Sequence, residues 1–85
     1  MGYPEGSYLV TVAIDHDSGE PVYVQLANIL RARIESGEIT SRVPSGTSLA
    51  QEYGISHGSA EKALAILKRE GLIYSVVGKG AYVKR

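Results

Sequence analysis

Eighty-five residues, 44% of them apolar, make one small domain with one modest core. The chain has no cysteine, so it holds neither a disulfide framework nor a thiolate metal site; no apolar run reaches the ~20 residues of a membrane helix, and no basic-then-apolar opening marks a signal peptide. The net charge of zero argues against a polyanionic partner until it is divided: three cations stand against seven anions up to Ser56, and six cations against two anions from His57 onward.

The chain divides into an N-terminal tail and strand over residues 1–20 and a domain over residues 21–85. Met1 to Gly6 reads as a loose end. In Ser7 to Asp15, Tyr8, Val10, Val12 and Ile14 alternate with Leu9, Thr11 and Ala13, a strand signal of period two with an apolar second face. Two roles fit that strand: a third strand added to a C-terminal sheet, or a homodimer contact across a two-fold axis. Asp15-His16-Asp17-Ser18-Gly19 then reads as a loop.

Pro21 suits the first turn of a helix, where its missing N–H is no loss. Val22, Leu26, Ile29, Leu30 and Ile34 follow at helical spacing, and Gly37 closes this first helix near Ser36. Thr40 to Pro44 is a connector, with a short extended piece at Arg42-Val43. Ser45 caps a second helix over Gly46 to Tyr53, whose inner face is Leu49, Ala50 and Tyr53. Gly54 turns the chain, Ile55 plugs the turn, and Ser56 caps a third helix running to about Glu70, with Gly71 at its end. At about 100° per residue, Ala60, Ala63, Leu64 and Leu67 cluster on one side of that helix. Gly58, Lys62, Ala65 and Arg69 lie opposite, flanked by Glu61, so the outward face is small and carries two cations. Leu72 to Val77 and Ala81 to Lys84 frame Gly78-Lys79-Gly80 as a β-hairpin.

The pattern is α+β: three helices, a tight turn between the last two, then a glycine-tipped hairpin, which is a winged helix-turn-helix. Its chemistry is an exposed helix end entering a groove about 12 Å wide, held by a partner helix over the backbone. Serine caps leave helix N–H groups facing phosphate. No enzyme is expected. His16 and His57 lack metal-ligand spacing, so neither a metal nor another cofactor is expected, and Asp15-His16-Asp17 reads as a solvated turn. Serine, histidine and aspartate without a spatial relation make no triad, and Gly78-Lys79-Gly80 lacks phosphate-loop spacing.

The stretch from Pro21 to Val83 resembles the DNA-binding domain of the GntR family of bacterial transcription regulators. Pro21-Val22-Tyr23-Val24-Gln25-Leu26 and Arg33-Ile34 to Gly37 resemble the family's first helix. Pro44-Ser45, Leu49-Ala50, Gly54-Ile55-Ser56, Ala63-Leu64, Glu70-Gly71-Leu72-Ile73 and Gly78-Lys79-Gly80 match in order and spacing. Three positions depart from the pattern: Thr47, His57 and Glu61 stand where the family carries arginine, with Lys62 one step on as partial compensation. The resemblance implies that Ser45, Ser56 and Ser59 meet phosphates and that Gly78 and Lys79 serve the wing. The DNA-contacting set expected on this basis is Ser45, Thr47, Ser56, His57, Gly58, Ser59, Glu61, Lys62, Arg69, Gly78 and Lys79.

The function implied is sequence-specific binding of double-stranded DNA by a cytoplasmic, nucleoid-associated repressor, with no membrane partner. The family usually adds an effector domain after the wing, and this chain reads as either a stand-alone regulator without one or an excised domain. The alternative is a winged-helix module turned toward protein partners.

Overall fold

The computed structural model describes residues 13–84. Its first helix, α1 (Val22–Glu35), exists because Leu26, Ala27 and Leu30 recur on one side and are all buried. Pro21 stands at its N-cap rather than inside it, and the Pro21 carbonyl accepts from the N–H groups of Val24 and Gln25, each at 3.1 Å. The Gln25 side chain does the work a capping side chain would do for the preceding loop. Its Nε2 donates to the carbonyls of Asp15 (2.8 Å) and Glu20 (2.9 Å), and its Oε1 accepts from Asp15 N–H (2.8 Å). Asp17 N–H donates to Asp15 Oδ1 at 3.0 Å, so the acidic loop is a turn built on its own side chains.

The second and third helices, α2 (Gly46–Tyr53) and α3 (His57–Arg69), meet the sequence expectation within a residue at each end. Between them Gly54 adopts φ 66°, ψ 40°. A side chain there would cost roughly 1–2 kcal/mol, so glycine sets the sharp bend. Ala60, Ala63, Leu64 and Leu67 of α3 are all buried, against α1 on one side and α2 on the other. The helix ends in paired backbone bonds, Gly71 N–H to Lys68 O and Leu72 N–H to Leu67 O, both 3.0 Å. This closure satisfies the last carbonyls and turns the chain into the sheet.

Three short strands form the sheet: β1 (Arg42–Val43), ahead of α2, and β2 (Ile73–Val76) and β3 (Gly80–Val83), after α3, in the order β1-β3-β2 with both pairings antiparallel. Register places Arg42, Tyr82 and Tyr74 in one cross-strand row, with the two tyrosine rings stacked at 6.1 Å. Val43 and Ile73 turn the other way into the core. The third strand of the wing sheet is therefore the connector between α1 and α2. The strand expected over Ser7 to Asp15 falls mostly outside the described residues, and its described end, Ala13 to Asp15, is in no strand.

Two arginines clamp the helices. Arg31 forks onto Glu70 (Nε–Oε1 2.9 Å, Nη2–Oε2 2.7 Å) and also donates to Asn28 Oδ1 at 2.7 Å. Arg33 donates to Glu38 Oε2 at 2.9 Å and to the Tyr53 hydroxyl at 3.1 Å, joining the ends of α1 and α2. Burial, ahead of its charged neighbours, pushes the Tyr53 phenol up.

The Arg31 hydrogen bond holds the Glu70 carboxyl below its ordinary value of 4.5. A depressed carboxylate stabilises the fold fully above that value and ceases to do so as pH falls through the folded pKa. An Arg31→Gln variant should thus melt below wild type near neutral pH, and the gap should close on acidification below about 4.5. Melting curves across that range would check this; a gap that persists in acid would assign Arg31 a packing role instead.

Candidate nucleic-acid interface

Two helices begin with the same device. Ser45 Oγ accepts from Ser48 N–H at 3.1 Å and its hydroxyl donates to Ser48 Oγ at 3.2 Å. Ser56 Oγ accepts from Ser59 N–H and its hydroxyl donates to Ser59 Oγ, both at 3.0 Å. Each cap fixes where its helix starts and gathers polar atoms around an N-terminus that carries roughly half a positive charge. Thr47, His57 and Gly58 are exposed in these first turns.

The outward face of α3 follows the helical-wheel expectation: Gly58, Lys62, Ala65 and Arg69 are exposed. Height along the helix separates them. Arg69 lies twelve residues on from His57, which at 1.5 Å per residue is about 18 Å along the axis. The structure therefore does not bring Arg69 together with the residues of the first turns. Lys62 is placed differently again. Its ammonium lies 5.2 Å from the ring centroid of Tyr23 on α1, a contact of about 0.5–1 kcal/mol at an exposed site. That ring holds a flexible cation near the start of α1.

Glu61 leaves the outward face for a notch between helices. Its Oε2 is 3.5 Å from His57 Nε2, one turn earlier on α3, and its carboxylate sits against buried Gly46 at the start of α2. An open cleft of roughly 510 Å³ runs from there to the wing, lined by Arg42, Ser45, Gly46, Glu61, Lys68 and Lys79 among others. The wing turn is closed by Lys79 N–H to Val76 O at 3.0 Å, and Gly78 within it has φ 78°. That positive φ is what the third position of such a turn requires. Val77, beside it, is fully exposed.

Three residues of this surface escaped the sequence reading. Lys68 was within reach: His57, Glu61, Leu64 and Lys68 form one stripe, with Lys68 about 20° from His57 on the wheel. Arg42 was hidden, because only its pairing with Tyr82 places it by the wing. Tyr23 was hidden too, because only its contact with Lys62 places it by α3. The surface as built offers two capped helix starts, the cations Arg42, Lys62, Lys68 and Lys79, and one carboxylate–imidazole pair. Cations set around helix N-termini suit a polyanion.

Residues 22–83 match the profile of the bacterial regulatory proteins, gntR family. The HTH-type transcriptional repressor NagR of Bacillus subtilis is 34% identical over 74 residues, which cover 85% of this chain and 30% of that protein. YtrA from Sulfolobus acidocaldarius, described as a GntR-family transcription factor, superposes with a TM-score of 0.78 at 32% identity, over 87% of this chain and 80% of its own. The DNA-binding domain of AraR in complex with operator ORX1 gives 0.73 at 33% identity, over 76% and 81%. The chain spans about a third of the length of the curated relatives it matches, 32% and 30% of the first two. The architecture is the winged helix of this group.

Proposed function

The chain belongs to the gntR family of bacterial regulatory proteins, and from that premise we propose that it is the sequence-specific double-stranded DNA-binding module of a transcriptional repressor. The observation that carries this reading is the start of α3: a serine-capped helix with His57 and Gly58 exposed, whose Glu61 lines a cleft shared with the α2 start and the wing. An AraR domain of the same fold, 33% identical, was solved on an operator, and NagR is named a repressor. Both support the reading.

In this reading α3 enters the major groove by its N-terminal end and the wing lies on the adjacent backbone or minor groove. Ser45, Thr47, Ser56, Gly58 and Ser59 contact phosphate oxygens from the two helix starts, contacts that fix register without reading sequence. Lys62 and Lys79 neutralise phosphates, and Arg42 and Lys68 join them from the cleft. Gly78 lets the wing backbone approach closely. His57 and Glu61 occupy the positions from which base edges are read. Arg69 is left outside the interface.

Fluorescence anisotropy with duplexes drawn from a randomised pool tests the proposal. The expected outcome is enrichment of a defined sequence and binding that weakens steadily with salt. No enrichment, together with no salt-dependent binding at low ionic strength, would overturn it.

A further inference from the structure

The notch around Glu61 has a chemistry of its own. Gly46 is buried, and a Cβ added there would overlap the Glu61 carboxylate and come within 3.3 Å of His57 Nε2. The missing side chain is thus what admits the carboxylate. His57 Nε2 lies 3.5 Å from the same carboxylate oxygen, while the Glu61 side chain remains 50% exposed. Stability does not account for this arrangement, since exposed i,i+4 pairs contribute only about 0.3–0.5 kcal/mol. The carboxylate also sits by a cleft whose other charged residues are Arg42, Lys68 and Lys79, where it repels any polyanion the cations attract.

An ionised carboxylate is an acceptor only. In the major groove guanine presents two acceptors, thymine an acceptor and a methyl group, and adenine a donor beside an acceptor. Cytosine alone presents an amino donor with no acceptor on the same base edge. We infer that Glu61 is a specificity-determining residue of this surface, that it requires a cytosine amino group, and that Gly46 and His57 are its positioning residues. The inference rests on the DNA reading proposed above. A carboxylate in this place makes a wrong base costly twice, by the lost bond and by repulsion from an acceptor, so discrimination of roughly tenfold or more is expected.

Selection from a randomised duplex pool with wild type, Glu61→Ala and Gly46→Ala tests it, with a melting curve on each protein to establish folding. Wild type should enrich cytosine at one position. Glu61→Ala should flatten that position alone and leave the others in place. Gly46→Ala, whose methyl displaces the carboxylate, should flatten the same position with Glu61 still present. The inference is overturned if the Glu61→Ala profile equals that of wild type, or if the position Glu61 controls selects another base. Gly46→Ala without effect would remove Gly46 from its role. A wild-type protein that enriches nothing sinks the DNA reading itself, a result distinct from an enriched profile insensitive to Glu61.

Discussion

Replacing Leu67 by alanine should lower the unfolding free energy by about 2–5 kcal/mol, the range for truncating a large buried aliphatic side chain. Leu67 has no exposed surface and lies where α3 packs on α1 and hands the chain to β2. Its carbonyl also accepts the Leu72 N–H that closes the helix, so the backbone around it is pinned and collapses little into a cavity. Domains of this size are held by only about 0.05–0.15 kcal/mol per residue. The loss is therefore a large part of the whole, and the melting temperature should fall by roughly 10–30 °C. Circular dichroism melts check this against Lys68→Ala, an exposed neighbour on the same helix that should change stability by no more than about 0.5 kcal/mol. Equal effects from the two variants would refute the core described here.

The helix-turn-helix was legible because its punctuation is local. Ser45 and Ser56 cap through hydroxyls that reach only three residues ahead, and Gly54 and Gly71 act on single backbone angles. The buried stripe of α3 was legible because one period orders it. Contacts between elements were not. Gly46 against Glu61, Lys62 against Tyr23 and Arg42 beside Tyr82 each join segments whose relative placement no local pattern encodes. Arg69 shows the same limit within one helix. The wheel gave its angle correctly, close to that of Lys62, but angle carries no height, and seven residues are about 10 Å of axis. Glu61 was legible as a member of the expected DNA-contacting set, but its notch against Gly46 was not, because that contact joins two helices.

The salt dependence of DNA binding should resolve which cations matter. Each phosphate neutralised contributes about −0.9 to the slope of log K against log salt. With Arg42, Lys62, Lys68 and Lys79 as the contacting set, the wild-type slope should be about −3.6. A double Lys62→Ala, Lys79→Ala variant should fall to about −1.8. Between ~50 and ~200 mM salt the wild type would then lose roughly 150-fold in affinity and the variant roughly 12-fold. Arg69→Ala should leave the slope unchanged. Arg69 does not line the cleft by the wing, where its neighbour Lys68 lies with Lys79 and Arg42, and about 18 Å of α3 separates it from His57. Lys62 differs because it lies five residues, about 7.5 Å of axis, from His57 along α3. Anisotropy titrations at several salt concentrations, with one duplex for all three proteins, make the comparison. If Arg69→Ala made the slope shallower by about 0.9, the share of one phosphate, α3 would have to lie along the DNA over its whole length, and docking by its N-terminal end would be wrong.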